Sequence, residues 1–391
     1  MIQNISDNLL FKGLRLIKYG HLKLTNYDGK KYCFGEEGKD LNVELKIKKP
    51  GFAFGIIRKG SIGFAESYMR GDFETNNLSD LIELTARNIK IIYKFSGLFD
   101  FPFINYVKNI FSKNTKKNSK EYISKHYDLG NEFFSLWLDK TLTYSSAIFD
   151  ENKNNLEDAQ INKYKKLINL IKPKTGDKVL EIGCGWGGFA EHVGKNFDVK
   201  LDCITISKKQ YEFAKARIQK NQLNEKINIY MMDYRDIKNK YNSIASIEMI
   251  EAVGKNYLKN YFKTIKDNLQ SNGIAAIQAI TIDDKLFDRY KTKEDFIQKY
   301  IFPGGFLPSK KCLYQYANQN GLGVDQYNSY GLHYSNTLNI WRNEFIKKWE
   351  DISKQGFDLT FKRMWNFYLS YCEAGFKSKN IDLIQFSLCN K

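Results

Sequence analysis

Apolar and polar residues alternate strictly along Val43-Glu44-Leu45-Lys46-Ile47, the period of a strand with one face buried. Around it, from about Leu14 to Asn77, short alternating segments are punctuated by glycines at 29, 35, 51, 55, 60, 63 and 71. This pattern predicts a small strand-rich domain with one helix. Leu78, Leu81, Ile82 and Thr85 then follow helical spacing, with Asn77 or Ser79 as the N-cap. From about residue 160 helical and strand patterns alternate. Strands are expected at 178–182, 200–206, 227–231, 243–248 and 274–280, with a later pair at 323–330 and 382–388, and helices at 208–219 and 257–269 between them. Such alternation requires a doubly wound α/β sheet with helices on both faces. The chain therefore reads as a small α+β domain at residues 1–111, a linker at 112–125 rich in Lys, Asn and Ser, and a larger α/β domain at 126–391.

Between the two lies an aromatic and aliphatic stretch studded with lysines, running from Ile89 through Phe95, Phe99, Phe103 and Tyr106 to Phe111. Two explanations fit it: an interfacial helix on a membrane, or a helix packed between domains. Charge adds to the first. The 61 basic side chains exceed the 44 acidic ones, for a net charge of +17, and residues 1–120 carry +9 of it from 21 basic and 12 acidic groups. A nucleic acid, an anionic membrane or an acidic ligand could each answer such an excess. No nucleic-acid-binding signature stands out. The six cysteines form no CxxC pair and no cluster with the four histidines, so neither a zinc site nor a disulfide framework is indicated. No apolar run reaches the roughly 18 residues needed to cross a bilayer, and the first residues lack a cleavable leader. The expectation is a cytoplasmic protein associated peripherally with the inner face of the cell membrane.

Val179-Leu180-Glu181-Ile182-Gly183-Cys184-Gly185-Trp186-Gly187-Gly188 is an apolar strand running into a glycine turn and then a helix. Gly183, Gly185 and Gly188 satisfy the dinucleotide pattern G-x-G-x-x-G, but that pattern wants an acid at the end of the next strand, and Asp202 stands near its start. The acid-x-G-x-G-x-G pattern of class I methyltransferases uses Glu181 as well. Asp233 and Tyr234, just past the third strand, supply an acid and an aromatic where an adenine would lie. A Rossmann-like class I methyltransferase sheet is thus expected, with S-adenosylmethionine (SAM) as cofactor.

Further stretches share one pattern: His126-Tyr127-Asp128-Leu129-Gly130-Asn131, Leu142-Thr143-Tyr144-Ser145-Ser146-Ala147, Glu248-Met249-Ile250-Glu251-Ala252-Val253-Gly254, Tyr300-Ile301-Phe302-Pro303-Gly304-Gly305 and His333-Tyr334-Ser335-Asn336-Thr337-Leu338. They resemble the cyclopropane fatty acid and mycolic acid cyclopropane synthase family from about His126 to the C-terminus, and residues 14–85 resemble the N-terminal domain of its phospholipid-acting members. The resemblance implies SAM contacts at Tyr144, Ser145, Gly183, Gly185, Thr205, Gln210, Asp233, Tyr234 and Arg235. It implies a bicarbonate ion held at Ser146, Glu251, Gln278, Ile280 and Tyr334 as the proton acceptor, and no metal. Two of these positions depart from the family pattern, in which Cys commonly stands at 146 and His at 278; the usual Glu-His pair reads Glu251-Ala252 here. Ser and Gln can still present hydrogen bonds to an anion.

The implied reaction transfers the SAM methyl to the double bond of an unsaturated acyl chain of a phospholipid. Proton loss from the new methyl closes a cyclopropane, and loss from a neighbouring carbon leaves a methyl-branched or methylene chain. Tyr144, Phe302, Tyr334 and Trp341 are candidates to shield the intermediate cation. Trp186 is expected to pack the turn and His126 to be structural. An RNA methyltransferase, an inactive lipid-binding relative and a homodimer stay open at this stage.

Overall fold

The computed structural model describes residues 2–38, 41–91, 129–150 and 155–391. The aromatic stretch beyond Ile91, the linker at 112–125 and the His126-Tyr127-Asp128 motif lie outside the described residues. Seven strands form the larger sheet: β5 (Lys178–Ile182), β6 (Lys200–Thr205), β7 (Ile227–Met231), β8 (Tyr241–Ile247), β9 (Leu269–Ile282), β10 (Leu322–Ser329) and β11 (Ile381–Asn390). Their order is β10-β11-β9-β8-β5-β6-β7. The five strands from β9 to β7 are parallel, while β11 pairs antiparallel with both β9 and β10. All seven were expected, each within a few residues of these bounds except the start of β9, which begins at Leu269 and pairs irregularly with β8 near Tyr241.

Apolar residues are buried on both faces of the central strands, Val179, Leu180 and Ile182 of β5 for instance, because helices cover the sheet on each side. From β5 the chain winds one way through β6 and β7 and the other way through β8 and β9. The strand order reverses between β5 and β8, so the connections leaving their carboxyl ends run in opposite directions and open the crevice in which such sheets bind ligands.

In the N-terminal part, β1 (His21–Thr25), β2 (Lys31–Gly35), β3 (Asn42–Ile47) and β4 (Phe73–Thr75) form a sheet of order β2-β1-β3-β4. Val43, Leu45 and Ile47 all point into the core, as the alternation requires. Asn77 caps helix Leu78–Arg87, accepting from the Asp80 amide at 3.2 Å. The glycine-rich stretch 51–71 differs from expectation. It forms two helices, Phe52–Lys59 and Ser61–Met69, and a further helix spans Ile2–Leu14. One of its glycines serves close packing rather than a turn: a Cβ on Gly63 would lie 2.0 Å from the Gly55 carbonyl oxygen, so the two helices meet only because that side chain is absent.

This part packs on helix Leu359–Lys377 of the larger domain. Phe64 meets Phe367 edge-on at 5.8 Å, the Asn366 amide donates to the Tyr68 hydroxyl at 2.8 Å, and Glu66 accepts from Lys299 at 2.8 Å and Tyr300 at 2.9 Å. One apolar cluster runs continuously from Leu22 to Leu383. Among the described residues no helix is long and apolar enough to cross a membrane.

Candidate active site

The turn after β5 has Gly183 at φ +85° and Gly185 at φ +53°, left-handed conformations that glycine adopts without strain. A Cβ on Gly183 would stand 2.8 Å from Cγ of Met249, whereas one on Gly185 would meet nothing within 4 Å. Bare backbone therefore faces the crevice. At the strand's end Glu181 is buried, and burial pushes its carboxyl up to about 7, the Cys203 thiol at 3.4 Å opposing that rise. At the end of β6 the Thr205 hydroxyl donates to Gln210 Oε1 at 3.1 Å. Beyond β7, Asp233 accepts from Arg235 Nε at 2.8 Å and Nη2 at 2.6 Å. Tyr234 lies edge-on to Tyr261 at 5.7 Å, and its buried hydroxyl has no partner among the described residues.

The segment Tyr144-Ser145-Ser146 crosses the same crevice from the opposite side. Tyr144 packs at 5.1 to 5.7 Å from the rings of Phe134, Trp137 and Trp341, and its hydroxyl pairs with that of Tyr368 at 2.8 Å. The Ser145 hydroxyl accepts from Lys163 Nζ at 2.7 Å. Lys163 is wholly buried. Burial lowers its pKa to about 7 against the carboxylates of Glu248, Asp139 and Glu181, which favour its charge.

Ser146, Gln278 and Tyr334 converge on a carboxylate from this chain, that of Glu248. Its Oε1 accepts from the Ser146 amide at 2.9 Å and from Gln278 Nε2 at 2.7 Å; its Oε2 accepts from the Tyr334 hydroxyl at 2.6 Å. Gln278 is oriented in turn by Gln385, whose Nε2 donates to Gln278 Oε1 at 2.9 Å. Glu251 and Ile280 meet separately, the Ile280 amide donating to Glu251 Oε1 at 2.5 Å. The buried Oε2 of Glu251 has no hydrogen-bond partner among the described residues. Tyr334 stacks on Phe376 at 4.5 Å and stands edge-on to Trp341 at 6.2 Å, which joins the carboxylates to the aromatic wall around Tyr144.

The two carboxyls differ in environment. Burial raises both. For Glu248 the Lys163 cation and the hydrogen bonds from Tyr334, Gln278 and Ser146 oppose the rise. Glu251 has one backbone donor and the repulsion of Glu248, and is pushed up to about 8. The two carboxyls are thus set apart: the ionised form of Glu248 has four partners, whereas Glu251 is pushed toward holding its proton. Glu248, Lys163 and Gln385 were not singled out from the sequence. The Glu248-x-x-Glu251 spacing was the one available signal; Lys163 sits in an ordinary amphipathic helix, Leu156–Ile171. Trp186 packs the turn as expected, 5.0 Å from Phe134.

The sequence model of the family described as mycolic acid cyclopropane synthetase matches residues 114–386. A tuberculostearic acid methyltransferase of Mycobacterium tuberculosis is 33% identical over 353 residues, 88% of this chain and 82% of that protein. The cyclopropane-fatty-acyl-phospholipid synthase of Escherichia coli K12 is 32% identical over 352 residues, 88% of this chain and 87% of that protein. Among solved structures, a mycolic acid cyclopropane synthase complexed with S-adenosylhomocysteine (SAH) superposes with a TM-score of 0.65 at 26% identity, covering 70% of this chain and 98% of the other. The crevice at the strand-order reversal, the glycine turn and these likenesses agree: the chain belongs to the mycolic acid cyclopropane synthetase family of SAM-dependent methyltransferases that modify lipid chains.

Proposed function

We propose that the enzyme methylates the double bond of an unsaturated acyl chain still attached to a phospholipid. The observation that carries this reading is the buried carboxylate pair Glu248 and Glu251, joined through Tyr334 to a wall of aromatic rings at the ends of β8 and β9. A base kept from bulk water beside apolar, π-rich walls suits a hydrocarbon substrate that passes through a cation.

When bound, SAM supplies an electrophilic methyl on its sulfonium. The residues fit that cofactor: the bare backbone at Gly183 and Gly185 admits its methionyl part, with Tyr144 and Ser145 across the crevice. Thr205 and Gln210 stand at the next strand's end, and Asp233, Tyr234 and Arg235 offer an acid and a half-buried ring for the nucleoside. The alkene π pair would form the new carbon–carbon bond as the methyl's bond to sulfur breaks and SAH is released, leaving a carbocation on the neighbouring carbon; Tyr144, Tyr334, Trp341 and Phe302 are the rings that would shield that charge. A proton then leaves to the site's base. Loss from the new methyl closes a cyclopropane ring. In a second reading, loss from a neighbouring carbon leaves a methyl-branched or methylene chain; the direction from which the fixed base meets the cation selects which C–H bond breaks. Near-equal identity to the two relatives, 33% and 32%, does not choose between the products.

In this reading residues 1–111 form a lipid-facing unit, 112–125 a linker and 126–391 the catalytic domain, acting at the inner face of the cell membrane. Basic groups near an anionic surface add about 1 kcal/mol of attraction each. Mass spectrometry of phospholipid acyl chains from an expressing host tests the function. A gain of about one methylene unit per unsaturated chain is expected, with chromatography and hydrogenation separating ring from branch; unmodified lipid would refute it. Flotation should show tighter binding to anionic than to neutral vesicles at low salt.

A further inference from the structure

In a site whose relatives imply a bound bicarbonate, the donors are already taken. We propose that the Glu248 carboxylate itself occupies the anion cradle, so that this enzyme works without bicarbonate and Glu248 is the group that takes the proton. The proposal rests on the lipid-methylation reading above.

The Ser146 amide, Gln278 Nε2 and the Tyr334 hydroxyl, three donors that would hold an external anion, all end on Glu248 at 2.6 to 2.9 Å. The Ile280 amide ends on Glu251. A second anion would have to displace one of these and sit against two carboxyls, so the residues do not fit bicarbonate. Glu248 has a conformation suited to this task. It follows β8 with φ +48°, a left-handed backbone that a non-glycine residue rarely adopts and that clusters at functional sites. An ionised carboxylate has about four acceptor positions. Three are used, which leaves one on Oε2 for the substrate.

Bonds balance without a further reactant. A C–H bond next to the cation breaks, its electron pair closes the ring or forms the new double bond, and the proton forms an O–H bond on Glu248.

The test uses the full chain, labelled SAM and vesicles of an unsaturated phosphatidylglycerol, in buffer stripped of carbon dioxide and in the same buffer with bicarbonate. Wild-type turnover is expected to agree within twofold between the two, and Glu248→Gln to lose about 100-fold or more in both, the scale of a missing general base. Glu248→Gly relieves the left-handed backbone and so favours folding, and it vacates the cradle. Bicarbonate should restore part of its activity, and carbon-13 bicarbonate should bind this variant but not the wild type by NMR. Wild-type activity that collapses without bicarbonate, a near-normal Glu248→Gln, or bicarbonate binding to the wild type would each overturn the proposal. Wild type that methylates no lipid in either buffer would instead sink the underlying reading, and the proposal with it.

Discussion

Replacing Tyr334 with Phe removes a single hydroxyl from a site where its effect can be worked out in advance. The ring keeps its stacking on Phe376 at 4.5 Å and its edge contact with Trp341, so the change is confined to the 2.6 Å hydrogen bond to Glu248 Oε2. A hydrogen bond to a buried charged group is worth about 1.5–3 kcal/mol. At 1.36 kcal/mol per unit this amounts to roughly 1–2 pKa units. The direction follows from which form of Glu248 the bond favours. Burial already raises this carboxyl, and the Tyr334 bond pulls it down by stabilising the ionised form. Without the bond the pKa rises further. Glu248 must be ionised to accept a proton, so the acidic limb of kcat/KM against pH should move up by about 1–2 units. The loss is then large at low pH and shrinks as pH rises above the new limb. The assay is methyl transfer to unsaturated phospholipid vesicles across pH, with melting temperature recorded for each variant. A limb that stays in place while the protein remains folded would refute the assignment of Glu248 as base, and a uniform loss at every pH would show that Tyr334 only positions substrate.

Three further perturbations test the rest of the structure. Gly183→Ala forces a side chain onto a backbone at φ +85° and into contact with Met249 at 2.8 Å; SAH affinity by calorimetry should fall about tenfold or more, from a strain of roughly 1–2 kcal/mol in the turn, and unchanged affinity would remove the turn from the cofactor site. Gly63→Ala brings a Cβ to within 2.0 Å of the Gly55 carbonyl, so the two helices must separate and stability should drop by about 1–3 kcal/mol, seen as a melting point lower by several degrees. Glu66 is held down to about 2 because, although burial opposes it, hydrogen bonds from Lys299, Lys59 and Tyr300 prevail. Its folded pKa is depressed, so the stability it contributes, about 3 kcal/mol unscreened and about 2 kcal/mol once solvent screening of this partly exposed group is discounted, is present above about pH 4.5 and is lost as pH falls toward 2; Glu66→Gln should flatten stability in that window and leave the slope above it unchanged.

The parts of the fold that could be read from the chain are those where local pattern and tertiary role coincide. Val43, Leu45 and Ile47 alternate because one face of β3 is buried, whereas β5 buries four successive residues, Val179 to Ile182, because both of its faces are covered. The stretch at 51–71 misled because glycine marks turns and also close helix contacts, and only the partner backbone, here the carbonyl of Gly55 under Gly63, tells the two apart. The candidate site divides along the same line. Ser146, Gln278 and Tyr334 could be placed by motif, yet the carboxylate they surround could not. In a Glu-x-x-Glu run both side chains would share one face of a continuous helix, but the helix begins only at Ile250 and Glu248 precedes it with a left-handed φ, so helical spacing does not set where its carboxylate lies. Which carboxylate enters the cradle is therefore decided by one backbone angle and by donors 102 residues before and 86 residues after it. No local spacing encodes that choice. The departures at Ser146 and Gln278 belong with it: an uncharged amide at 278 donates at 2.7 Å to a carboxylate supplied by the chain, and its own oxygen is held by Gln385. Substitutions that look like losses against a bicarbonate cradle become complementary once the anion is part of the protein.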